Sequence, residues 1–329
     1  MKLERLLSPR VVISVFCGAV ALALLLSFAD IRKVALAFSR FPPILIPVVL
    51  GLIVARELIR AGEWHFLLQA LGFRPRWRHS LMSLLGGDAS QILPAGVYFQ
   101  NYLLQQAEGA SIATSLAATF GMQLLEAALA LIGLMIFTVP GWGWLRPVAA
   151  VVAAGYGTFL FVISRDRVVH WLEARAKTRR STGWLLDQLG HFLEGLEALL
   201  QPGVIWRAGL LSASYLAFTV ASFYVVLQAY GEPQVGLMQA AAIYCFVLTM
   251  VILVPLPSDL GLSEGSGVAV LLAYGVPLAQ GVTIMLITRF AALLFTELLA
   301  GACLLMLGRE LRPGPRAGAM PGQGGLVSG

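Results

Sequence analysis

Residues 254–264 read Val-Pro-Leu-Pro-Ser-Asp-Leu-Gly-Leu-Ser-Glu and lie between two long apolar runs. Two prolines, a glycine, an aspartate and a glutamate therefore fall at or near membrane depth. A plain spanning helix does not accommodate them, because proline removes a backbone donor and interrupts the helix. Lipid cannot satisfy the backbone groups so freed. Broken backbone at that depth is stable only where protein or a wet cavity surrounds it, and ionisable groups there are functional candidates. The stretch predicts an all-α, polytopic membrane protein built around a break, with a substrate site beside it.

Composition agrees. The chain has 329 residues, of which 58% are hydrophobic and 12% charged, and the mean hydropathy is +0.82. A soluble domain carries about 25% charged residues. The apolar residues fall in runs near the ~20 residues that span a bilayer, and no polar stretch reaches the ~100 residues of a soluble catalytic domain. One domain over 1–308, with a disordered Gly/Pro-rich tail at 309–329, is expected. The net charge of +6 sits beside the apolar runs, as in cytoplasmic loops, and not on a separate basic module, so no nucleic-acid partner is expected. Cys17, Cys245 and Cys303 lie inside apolar runs without paired spacing, and the four histidines show no ligand spacing. No disulfide framework, metal or other cofactor is expected.

Spans are expected near 11–29, 44–68, 112–138, 147–164, 204–229, 237–255 and 280–307. The first, preceded by Lys2, Arg5 and Arg10, is long for a signal peptide and is read as an uncleaved helix. Segments 80–106 and 258–276 are apolar but broken by Gly, Pro and Asp, and read as re-entrant or broken helices. Basic clusters at Arg74, Arg76 and Arg78 and at Arg165 to Arg180 set those loops in the cytoplasm. With the basic tail also inside, segment 80–106 returns to its own face while 258–276 crosses, so the two broken segments differ and seven or eight crossings result. The stretch 165–203 is read as a cytoplasmic connector. Its residues 185, 189, 192, 196 and 199 form one apolar helical face. That face either lies on the leaflet or packs on neighbouring spans.

An internal repeat is visible in the spacing. Leu93-Pro94 is followed by Gly109 and a helix carrying Gln123; Leu256-Pro257 is followed by Gly275 and a helix carrying Arg289. In both, the polar residue comes 14 positions after the glycine. Paired interrupted segments in two halves point to a transporter's binding site, and the repeat is either parallel or inverted.

The candidate substrate-binding residues are Arg56, Arg60, Glu63, Asp88, Asn101, Gln123, Glu126, Asp259, Glu264 and Arg289. Arg56, Arg60 and Glu63 share one face of the second span, where an Arg60–Glu63 pair would be the purely structural alternative. Segment 86–101 offers Asp88 and Asn101 among glycines that permit unusual backbone. Glu126 follows Gln123 by one turn. Arg289, alone in its helix region, reads as the freest phosphate partner, with a salt bridge to Glu264 or Glu297 as the alternative.

Pro255-Leu-Pro257-Ser-Asp-Leu-Gly261-Leu-Ser-Glu264, with Arg289 in the next helix, resembles the flippase-like transmembrane domain of lysylphosphatidylglycerol synthases and their stand-alone relatives. Leu93-Pro94-Ala-Gly96 ahead of polar positions 123 and 126 is similar too, as are Arg60 and Trp64, and the likeness covers most of 10–308. The chain departs from the family pattern in having Ser258-Asp259 for a Gly-Gly pair, and Met122-Gln123 then Glu126 where the family has Glu-Arg then Asp. The resemblance implies a non-enzymatic translocator of the inner membrane that moves a polar-headgroup lipid between the broken segments. Family members are associated with phospholipids, isoprenoid-linked lipids or hopanoids, so lipid-biosynthesis enzymes are the implied partners. The rival readings are a membrane-embedded lipid-modifying enzyme, for which the sequence offers no ligand cluster or Gly-x-Ser-x-Gly elbow, and a non-transporting subunit of a lipid-synthesis complex.

Overall fold

The computed structural model describes residues 36, 39–88, 98–137, 139–163, 183–231, 235–254 and 261–310. The expected span at 11–29, the Leu93-Pro94 and Pro255-Leu-Pro257 motifs, Asp259 and residues 311–329 of the expected tail lie outside the described residues, while Arg309 and Glu310 end the last helix instead of opening the tail. Among those described there is no strand. The helices are α1 (Ile46–Ala70), α2 (Trp77–Asp88), α3 (Phe99–Glu108), α4 (Ile112–Ile136), α5 (Leu145–Ile163), α6 (Gly183–Leu199), α7 (Pro202–Ala229), α8 (Leu237–Leu253), α9 (Leu262–Ala273) and α10 (Leu278–Glu310). Their bounds follow the apolar runs closely. α4 and α7 are long and apolar enough to cross a membrane by length and composition alone. α1 is as long as α4 but carries Arg56, Glu57, Arg60 and Glu63, and it buries Glu57 and Glu63.

Two halves repeat one plan. α1 ends two residues before Gly72 and α7 two residues before Gly231, both glycines at positive φ. α2 and α8 follow, each ahead of one of the two Pro-containing motifs. α3 and α9 come next and end at Gly109 (φ 71°) and Gly275 (φ 83°), left-handed positions that glycine adopts without a Cβ clash. α4 and α10 complete each half. The packing is reciprocal: α1 lies on α7, α2 on α10, and α8 on α4. Within the halves α2 lies along α3 and α8 along α9. Both short helices thus fold back on the helix before the break. In packing the two short helices are alike: the second has α8 for a partner just as the first has α2.

The repeat is inverted. α1 and α7 are equivalent helices, and Arg60 meets Tyr215 while Glu63 meets Ser212, so numbers rise along one as they fall along the other. Equivalent helices that run antiparallel are related by a two-fold axis lying across them, which is the membrane plane for a spanning bundle. The cores follow this arrangement. Val49 and Ile53 from the start of α1 pack with Phe223, Val226 and Leu227 near the end of α7. Trp64, Leu67 and Leu68 further along α1 pack with Ala208 near the start of α7. In lipid, close approach and dispersion hold helices together more than any hydrophobic gain. At Gly133 the Cys245 side chain of α8 fills the space a Cβ would need, so α4 and α8 approach closely only because that residue is glycine.

α5 and α6 join the halves and lean on α4. The Tyr156 hydroxyl donates to the Leu124 carbonyl at 2.8 Å. α6 buries Leu193, Leu196 and Leu199 and sets Phe192 against Phe120 at a tilt, with ring centroids 5.6 Å apart. Of the two readings of the connector, packing on neighbouring helices holds for α6. The buried face is rotated from the expected one: Leu189 is exposed and Leu193 buried, because α6 seats its small Gly195 against Ala117 of α4.

Candidate functional site

The interior of α1 presents four charged side chains toward α4 and α7. Arg56 Nε lies 3.0 Å from Glu57 Oε1, its own neighbour in sequence. Arg60 Nε lies 3.6 Å from Glu126 Oε1 of α4. An Arg60 Nη1–H donates to the Tyr215 hydroxyl of α7 at 3.4 Å, and the guanidinium sits 5.2 Å from the Tyr215 ring centre, within cation–π range. Glu63 is fully buried and accepts a hydrogen bond from Ser212 of α7. The Arg60–Glu63 alternative is therefore not what forms. Glu126 takes the guanidinium, and Glu63 is held across the helix interface instead.

The second half has its own pair. Arg289 Nε of α10 lies 3.5 Å from Glu264 Oε1 of α9, and an Arg289 Nη1–H donates to Ser263 Oγ at 3.4 Å. Glu264 Oε2 accepts from the Gly261 N–H at 2.7 Å. Gly261 has φ 81°, so a glycine is needed where the chain leaves the break and enters α9. Arg289 is thus engaged, which corrects its reading as the freest phosphate partner: Glu264 reaches both the helix N-terminus and the guanidinium. The side chain of Glu297, the other partner considered, is outside the described residues.

Tyr244 of α8 lies near charged groups of both halves, Arg56, Arg60 and Glu126 of the first and Arg289 of the second. The sequence-predicted residues Arg56, Arg60, Glu63 and Glu126 come together, and Glu264 pairs with Arg289. Asp88, at the end of α2, acts on Arg60. Gln123 is half-buried on α4 one turn before Glu126. Asn101 belongs to a different group. Thr119 of α4 donates to Asn101 Oδ1 at 3.0 Å and accepts from Gln100 Nε2 at 2.8 Å and from Trp64 Nε1 at 3.2 Å. Those residues form a buried polar network that ties α3 and α1 to α4.

Sequence reasoning missed the roles of Glu57, Ser212, Tyr215, Tyr244 and Ser263. Ser212 and Tyr215 had a usable pattern, two polar-tipped side chains three apart on one face of an apolar helix. At the end of the α2–α3 hairpin, outside the apolar stretch, His79 Nδ1 lies 2.6 Å from Glu108 Oε1 and the Arg76 N–H donates to the same oxygen at 3.1 Å. Partial burial pushes the Glu108 carboxyl up, but those two hydrogen bonds and the charges of His79 and Arg76 outweigh it and hold it below its usual range.

Inverted helical halves, each with an arginine–glutamate pair in its interior, and two helices long and apolar enough to cross a membrane are the architecture of an α-helical membrane protein with a charged interior. The chain belongs to the lysylphosphatidylglycerol synthase TM region family, whose family model matches residues 10–300. A membrane lipid-related role follows from that membership. A search of curated proteins finds no match.

Proposed function

We propose that this protein is a lipid translocator of the inner (cytoplasmic) membrane. In this reading it crosses the membrane seven or eight times and passes a phosphate-bearing headgroup between the two breaks while the tails stay in lipid. The observation that carries the reading is a loose ion pair in each half. Arg60–Glu126 at 3.6 Å and Arg289–Glu264 at 3.5 Å are both longer than the ~2.9 Å of a good N–H···O hydrogen bond. Each guanidinium sits beyond direct hydrogen-bond length from its carboxylate, so phosphate oxygens can displace that carboxylate. A planar guanidinium then binds two oxygens at once. Tyr244 is near charged groups of both stations and can hand the headgroup from one to the other.

Inverted halves suit alternating access, because the same packing serves both faces of the membrane. The protein performs no bond chemistry in this account, and the chain carries no Gly-x-x-x-x-Gly-Lys-Ser/Thr loop for a nucleotide. Energy then comes from a lipid or ion gradient, and enzymes of lipid biosynthesis are the partners that supply or consume the lipid.

The test is reconstitution into vesicles with tail-labelled phospholipids. Wild-type protein is expected to exchange the probe between leaflets faster than protein-free vesicles. Arg289→Lys is expected to slow exchange nearly as much as Arg289→Ala, by about tenfold, the scale of a lost charge-assisted hydrogen bond. Full activity in Arg289→Ala would point to a neutral headgroup. No exchange of any probe by wild-type protein would favour the enzyme or subunit readings.

A further inference from the structure

Between α1, α4 and α7 three carboxylates face two guanidinium groups, and the partners are unevenly shared. Glu57 takes Arg56 and Glu126 takes Arg60. Glu63 has no ion pair of its own among the described residues, and feels both the Glu126 carboxylate and the Arg60 guanidinium that Glu126 holds. It is fully buried; one oxygen is bound by Ser212, and Oε2 has no hydrogen-bond partner among the described residues. A carboxylate enclosed without a cation of its own takes a proton in preference to keeping its charge.

We propose that Glu63 is a proton-binding site that couples headgroup movement to a proton gradient, a step that rests on the translocator reading above. The logic is competition for Arg60, one turn away on the same helix. With a proton on Oε2, Glu63 is neutral and leaves Arg60 to a phosphate. Without it, the ionised carboxylate draws Arg60 back and the headgroup is released. Proton binding and headgroup binding therefore favour one another, and by linkage the effect is reciprocal. The only bond made or broken is O–H: the proton comes from water on one side and returns to water on the other.

The groups around Glu63 are consistent with this assignment. Arg60 acts from its own helix and Glu126 from α4. α7 contributes the neutral hydroxyls of Ser212 and, through Arg60, Tyr215. From α2, Asp88 acts on Arg60. On α10 Arg289 is held by Glu264, and on α6 His191 and Glu194 pair with each other at the exposed surface.

The test uses the full chain in vesicles with tail-labelled phosphatidylglycerol and an imposed pH gradient. This lipid carries one negative charge, so its transfer with one proton is electroneutral. A one-unit gradient can then drive up to about tenfold enrichment of probe in the alkaline-side leaflet at one-to-one coupling. Wild-type protein is expected to show several-fold enrichment. Glu63→Gln, which keeps a hydrogen-bond partner for Ser212 but cannot exchange a proton, is expected to show none, and Glu63→Asp to recover part of it. Enrichment that survives in Glu63→Gln, or is missing from a wild-type protein that exchanges the probe, overturns the proposal. Infrared spectra of the purified proteins provide the second readout. A protonated-carboxyl stretch present in wild type and lost in Glu63→Gln supports the site even if no probe moves, in which case the translocator reading alone has failed. Identical spectra overturn the site itself.

Discussion

Eight residues before and ten after the glycine that closes its short helix, the first half sets Asn101 against Thr119, and the second half sets Gly267 against Met285. The backbones meet in the same register in both. In the first the contact is a buried hydrogen bond; in the second a thioether fills the space a Cβ would occupy. The scaffold therefore fixes where helices approach and leaves the chemistry at the contact free. The charged groups differ in the same way. At the position of Arg289, the first half has Gln123, and its working cations sit instead on α1. Glu264 comes from the short helix of its half, whereas Glu126 comes from the long one. Each half assembles an arginine–glutamate pair from different elements, so the site is asymmetric on a symmetric frame.

The largest expected effect tests the two pairs against each other. Arg60→Ala leaves Glu126 buried without its cation, which costs about 3–5 kcal/mol for a buried pair. The Arg289 side chain is 25% exposed against 15% for Arg60, so Arg289→Ala is expected to cost less. Thermal unfolding in detergent measures both, and adding Glu126→Gln to Arg60→Ala should recover part of the loss. Equal costs would mean that the two pairs are structurally alike after all.

The glycines that close the short helices supply the next contrast. Gly109 and Gly275 share a left-handed conformation, and among the described residues neither has an atom within 4 Å of the place a Cβ methyl would occupy. Gly109→Ala and Gly275→Ala should therefore each cost about 1 kcal/mol through backbone strain alone. A marked difference in their unfolding midpoints would break the equivalence of the halves.

The smallest effect belongs to the first half only. Glu108 precedes Gly109, and the residue before Gly275 is Tyr274. Because the Glu108 carboxyl is held below its ordinary value, the stability it contributes is present above that value and lost as pH falls through the lowered one. Glu108→Gln should flatten the acid limb, lowering stability at neutral pH by under about 1 kcal/mol and leaving stability in strong acid almost unchanged. An unaltered acid limb would remove the His79–Glu108 contact from the account.

Helix boundaries were legible because apolar runs and Gly/Pro punctuation are local. The run at 112–138 became Ile112–Ile136, and the one at 204–229 became Pro202–Ala229. The repeat was legible through two glycines and the polar residues 14 places beyond them. On its own, then, the sequence determined an all-helical chain with two breaks, its membership in a membrane family and the set of ionisable residues inside the apolar runs. The tertiary structure decided that the halves are inverted, that Arg60 pairs with Glu126 and not Glu63, that Ser212 and Tyr215 close the site, and that Glu264 engages Arg289. The reason is range: spacing along one helix shows which side chains share a face, but the partner that wins is set by the register of helices distant in sequence, and that register exists only once they pack.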